Sequence, residues 1–153
     1  MTEDPMPPNE PSGTDLPGPY ALSMMICDSI SIELGTAKTT LHGCFGAISA
    51  PDFPVSHHQM ALYIAMTNGH GQAHVKVQLV DSDGQNDPLF VMEGPIQFVD
   101  PLAVVELRLA IPVVTFPAPG EYRFQLFANN SFVMERRLVV LPIGGQSDAV
   151  RED

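Results

Sequence analysis

Apolar and polar positions alternate along most of this chain with a period of two, and helical periodicity is almost absent. Leu22–Ile32 is a first apolar run. The segment Glu33–Lys38 turns the chain, and Thr39–Ile48 returns. Pairing Ile26 with Phe45 sets Ile30 opposite Leu41 and Ile32 opposite Thr39, which leaves one face of the hairpin apolar. The other face then sets Cys27 opposite Cys44, Ser29 opposite His42 and Ser31 opposite Thr40. A slip of one residue would mix the two faces, so the pattern selects this register.

Later runs repeat the alternation. Met60–Met66 carries Met60, Leu62, Ile64 and Met66 on one side and Ala61, Tyr63 and Ala65 on the other. Asn68-Gly-His-Gly71 leads into Ala73–Asp81, where Val75, Val77 and Leu79 alternate with Lys76 and Gln78. After the loop Asp81–Pro88 comes Leu89–Phe98. Ala103–Ile111 follows the break at Asp100-Pro101 and turns Val105, Leu107 and Leu109 one way, Glu106 and Arg108 the other. Pro119-Gly120 bends the chain into a strand on which Tyr122, Phe124 and Leu126 share a face. Pro-Gly-x-Tyr at a strand start predicts a tyrosine corner, its ring buried and its hydroxyl bonded to backbone upstream. Asn129-Asn130 tolerates the positive φ of a tight hairpin, and Phe132–Leu141 closes the series. Eight short strands separated by turn residues predict an all-β fold, a two-layer antiparallel β-sandwich, Ig-like or related.

The ends read differently. Residues 1–19 hold six prolines and four acids with no apolar pattern to bury, and 143–153 is a second acidic stretch. Both are expected to be disordered acidic tails around one domain over 20–142. The first residues are acidic and no apolar stretch follows them, so no secretory signal is expected and the predicted location is cytoplasmic. A surface adhesive domain would need the export signal that the first residues do not supply.

Charge narrows the partners. The 153-residue chain has 18 acids against seven Lys and Arg, a net charge of −11. The tails hold seven of those acids and one of the basic residues. That leaves 11 acids and six bases, a net of −5, on the domain. A chain so poor in cations is not expected to bind nucleic acid. No apolar run reaches the ~18 residues of a span, so no membrane insertion is expected.

The ordered elements Met25-Ile-Cys-Asp28, Gly43–Ile48, Phe53-Pro-x-x-His57, Leu79-Val-Asp-Ser-Asp-Gly84 and Phe116-Pro-x-Pro-Gly-x-Tyr122 resemble a family of small bacterial β-sandwich proteins catalogued as a domain of unknown function. The resemblance covers about residues 21–141. It departs at His58, where proline is expected, and at Asn130, where Gly is more usual. It implies an Ig-like or related sandwich and brings no catalytic residue with it.

Candidate chemistry is sparse. His57, His58, His70 and His74 are the histidines that could join in a metal site, which needs three or four convergent ligands. Adjacent His57 and His58 point opposite ways in an extended chain. Asp81, Asp83 and Asp87 could attract calcium, but the twelve-residue EF-hand spacing is missing, and Asp-Gly between strands is first a turn signal. Cys27 and Cys44 face each other in the chosen register as a thiol pair, or as a cross-strand bridge under oxidising conditions. A Cys44/His42 nucleophile fails because strand neighbours face opposite ways. The methionines read as strand-interior filler. No catalytic residue and no cofactor is expected. The reading is a non-catalytic binding or assembly module, its partner another protein or a second copy paired through an edge strand. The alternative is a metal-binding protein or metal-assisted hydrolase using the clustered histidines.

Overall fold

A computed structural model describes residues 18–143. The expected tails, 1–19 and 143–153, lie outside the described residues apart from Gly18, Pro19 and Ile143.

The fold is all-β, with eleven strands. In chain order they are β1 (Tyr20–Ile32), β2 (Thr39–Cys44), β3 (Ala47–Ala50), β4 (Val55–His57), β5 (Met60–Thr67), β6 (Gly71–Asp81), β7 (Phe90–Phe98), β8 (Val105–Ile111), β9 (Val114–Phe116), β10 (Gly120–Ala128) and β11 (Ser131–Pro142). They form a four-stranded sheet, β2-β1-β5-β8, a five-stranded sheet, β3-β11-β10-β6-β7, and a small sheet, β4-β9.

One buried cluster draws on all three sheets. Met24, Ile26, Leu62 and Ile64 come from the four-stranded sheet, Val77, Leu79, Phe124 and Leu126 from the five-stranded one, and Val114 and Phe116 from β9. The alternation explains why. In β6 and β10 alternate side chains are buried, so Lys76 and Gln78 stand on the outer face while Val75, Val77 and Leu79 are buried. The outer face of the five-stranded sheet is correspondingly polar. Arg123 donates to Glu121 and Glu135 there, and Gln78 donates to Gln125.

The β1–β2 register is the one the alternation selects: Cys27 lies opposite Cys44, Ser29 opposite His42, Ile30 opposite Leu41 and Ile32 opposite Thr39. Two expectations need correction. The return run Thr39–Ile48 is two strands in two sheets, divided at Phe45-Gly46. Its second half, β3, pairs in parallel with β11, so the pairing is not wholly antiparallel. The strand count rises from eight to eleven by this division and by the short pair β4 and β9.

The tyrosine corner forms. Tyr122 is 4% exposed, its hydroxyl donates to the Ala118 carbonyl at 2.6 Å, and its ring meets Phe116 edge to face at 5.0 Å. Asn129 and Asn130 take positive φ, 50° and 69°, in the β10–β11 turn. Gly69 is fixed by contact. Phe98 lies flat on it, and a Cβ at that position would come within 2.1 Å of the ring.

Replacing Tyr122 by Phe keeps the ring contact with Phe116 and leaves the Ala118 carbonyl without its donor. Urea denaturation is expected to show a loss of about 1 kcal/mol with an unchanged m value.

Candidate functional site

On the flank bounded by β7 and β8, side chains next to the core reach solvent. β8 ends its sheet, hydrogen-bonded to β5 alone, and β7 ends the other. Between them runs a groove of about 230 Å³ lined by Val75, Val77, Met92, Glu93, Ile96, Leu107 and Leu109, with Gly94 and Pro95 on its β7 side. Leu107 and Leu109 face the core by alternation, yet they are only half-buried, and Met92 is 37% exposed. A Cβ on Gly94 would touch nothing within 4 Å. Apolar side chains thus reach solvent beside a strand whose outer backbone groups pair with no other strand among the described residues.

The opposite face of β8 is polar. Glu106 accepts from the Tyr63 hydroxyl at 2.5 Å, from Thr39 at 3.2 Å and from Arg108 at 2.5 Å, and Arg108 Nε donates to Thr39 Oγ1 at 3.0 Å. Thr39 belongs to β2, three strand steps from β8, roughly 14 Å in a flat sheet. Its short side chain cannot span that distance. The end of the β1–β2 hairpin therefore folds over the outer face and docks on Glu106 and Arg108. Cys27, which alternation turns outward, is 0% exposed. Burial, then the hydrogen bond to Glu106, pushes the Tyr63 phenol up to about 12. The same hydrogen bond, helped by Thr39 and Arg108 and opposed by burial, holds the Glu106 carboxyl below the usual carboxylate range.

The histidines singled out in the sequence are spread over the surface. His57, on β4, donates from Nε2 to the Gln59 carbonyl at 2.9 Å and lies against the Phe45 ring. His58 is exposed and borders a groove with Asp28, Ser29 and Arg108. His70 is exposed in the turn before β6, and His74, on β6, pairs with Glu93 at 2.8 Å. Asp81 caps its own turn, accepting from Gly84 N at 2.9 Å and Asn86 Nδ2 at 2.6 Å, while Asp83 and Asp87 are exposed. Among the described residues no three His, Cys, Asp or Glu side chains are gathered for a metal ion. Cys27 and Cys44 are both free thiols, the first buried and the second exposed. Burial, with Cys44 and Asp28 nearby, pushes the Cys27 thiol up.

The Tyr63–Glu106–Arg108–Thr39 cluster was not legible as a unit. Alternation places Tyr63, Glu106 and Arg108 on outer faces, but nothing local says that β2 returns across the sheet to bring Thr39 to them. The groove was half legible, since the Val105, Leu107 and Leu109 face is visible in the sequence and its lack of cover is not.

Residues 22–141 match the model of a family described as "Family of unknown function (DUF6941)". No curated protein matches the chain.

Two outcomes follow from this chemistry. The Glu106 contribution to stability is complete above the ordinary carboxylate value and is lost as pH falls through the depressed folded value. The Tyr63 contribution is complete below the ordinary phenol value and is lost as pH rises through about 12. Urea midpoints measured against pH should therefore decline at both ends for the natural chain. Tyr63→Phe should flatten the acid limb and lower the phenolate absorbance gained near 12 by one tyrosine's share. For the cysteines, an aromatic disulfide reagent should titrate one thiol per chain in the native protein and two in denaturant, because only Cys44 is exposed. Equal native reactivity would contradict the buried position of Cys27.

Proposed function

We propose that this chain, which belongs to the family of unknown function DUF6941, is a non-catalytic binding or assembly module that engages an extended segment of protein along the β8 edge. The observation that carries the reading is the groove beside β8, where half-buried Leu107 and Leu109 flank backbone donors and acceptors that pair with no other strand among the described residues. An added strand would satisfy that backbone, and its alternate side chains would fill the groove. The sparse cations, seven Lys and Arg against 18 acids, favour a protein segment over nucleic acid.

The reading takes the two larger sheets as the layers of a sandwich of Ig-like type, supported by the single core to which both contribute. It takes the domain as 20–142, between the two acidic stretches.

A photoreactive amino acid in place of Leu107, introduced into the full chain in its source cells, tests the reading. Adducts with protein, this chain included, are expected at 107 and not when the same group replaces Gln125 on the outer face of the five-stranded sheet. Equal labelling at both positions, or none at 107, would refute it.

A further inference from the structure

The two larger sheets have four edges, β2, β8, β3 and β7, and three of these carry a device that discourages pairing. β3 is only four residues long. β2 carries Gly43 at φ 69°, packed under the Asp28 carboxylate, which interrupts its ladder. β7 has Pro95, without an N–H, at its middle, beside Glu93. Short strands, irregular backbone, proline and charge are how natural sheets blunt an edge. β8 has seven residues, Val-Glu-Leu-Arg-Leu-Ala-Ile, with no proline, glycine or lysine, and its two charges, Glu106 and Arg108, are of opposite sign and pair with each other.

That sequence is complementary to itself when reversed. An antiparallel pair of two β8 strands centred on Leu107 sets Glu106 of each chain directly opposite the partner's Arg108. On the groove side it sets Leu107 opposite the partner's Leu107, and Val105 opposite the partner's Leu109. Beyond these, exposed Val104 and Ala110 meet on the outer face. Charged and apolar rows each find their own kind at the 4.5–5.5 Å Cβ separations of directly opposed residues. Other registers fail. A shift by two positions brings Glu106 against the partner's Glu106, or Arg108 against the partner's Arg108. A shift by one sets Glu106 against leucine, and a parallel pair in register again opposes like charges.

We infer that the occupant of the β8 edge is the β8 strand of a second copy, giving a two-fold dimer in which two four-stranded sheets join into one across Leu107. The inference rests on the edge-binding reading above and names its partner. The two-fold axis makes the contact isologous, so each chain supplies the same three groove-side residues, Val105, Leu107 and Leu109, to extend the apolar surface over the partner's groove. The Glu106–Arg108 pair already present within each strand becomes a network of four charges across the axis. An interface built around one strand pair is small, so dissociation is expected in the micromolar range.

Sedimentation of the full chain over micromolar concentrations tests this, together with charge reversals. Arg108→Glu alone and Glu106→Arg alone each oppose like charges across the axis and should weaken self-association by about tenfold or more. An equimolar mixture of the two variants should associate again, because every charged pair of the mixed dimer then joins opposite signs. Both residues also hold Thr39, so a second measurement avoids them. With Cys44 replaced by Ser, Leu107→Cys should oxidise to a covalent dimer. Val105→Cys and Leu109→Cys should cross-link to each other when mixed and not to themselves.

A strict monomer overturns the inference. If Leu107-borne photoadducts then join the chain to a different protein, edge binding survives with another partner; without adducts it falls as well. A dimer indifferent to both charge reversals and without the Leu107→Cys bridge also overturns the inference, and assigns assembly to a different surface.

Discussion

Contact between the apolar inner faces of the two larger sheets is the constraint on which the rest of this structure depends. Leu62 and Ile64 on one side, and Val77, Leu79, Phe124 and Leu126 on the other, are almost wholly removed from water. Burial of side chains of this size stabilises by roughly 1.5–3 kcal/mol each, less the entropy of ordering them. A one-residue slip in β6 would drive Lys76 and Gln78 inward and Val77 outward, so the core fixes the strand registers as well as stabilising them. The tyrosine corner belongs to the same constraint. Its ring joins the core, and its hydroxyl donates to a backbone carbonyl, that of Ala118.

The same demand leaves a problem at the sheet margins. A core between sheets is closed at its flanks only by whatever the chain places there. On one flank the short pair β4-β9 delivers Val114 and Phe116, both fully buried. On the other, β7 and β8 stand apart over a groove, and Leu107 and Leu109 remain half-covered. The outer face of β8 shows the opposite economy. Glu106 there gathers three donors, one of them Thr39 from the end of the β1–β2 hairpin. One strand therefore carries a closed polar face and an unfinished apolar one, and the second is what supports the proposal that the β8 edge takes an added strand.

Reading the sequence recovers whatever depends on near neighbours. Alternation over Val75–Leu79 and Tyr122–Leu126 reports which side of a strand is buried, because successive side chains must point to opposite faces. The pairing of Cys27 with Cys44 was legible because a hairpin with one apolar face has a single register that keeps it apolar. Asn129-Asn130 and Pro119-Gly120 announce turns through backbone preferences that hold in any fold. His57, His58, His70 and His74 mark the limit of this kind of reading. Their residue type suggests ligation, but ligation needs convergence in space, and linear spacing carries no information about that.

By itself, then, the sequence determined that this is an all-β domain, which faces of its strands are buried, and how its hairpins turn. Tertiary structure alone decided that Thr39–Ile48 divides at Phe45-Gly46, that β3 lies parallel to β11, that Thr39 crosses to Glu106, and that the flank at β8 stays open. The physical reason is a difference of range. Facing and turning are set by steric and solvation preferences within a few residues. The choice of neighbour among many apolar strands is made by contacts between segments far apart in the chain, such as Ala47 with Val139, and no local pattern encodes which of those contacts forms.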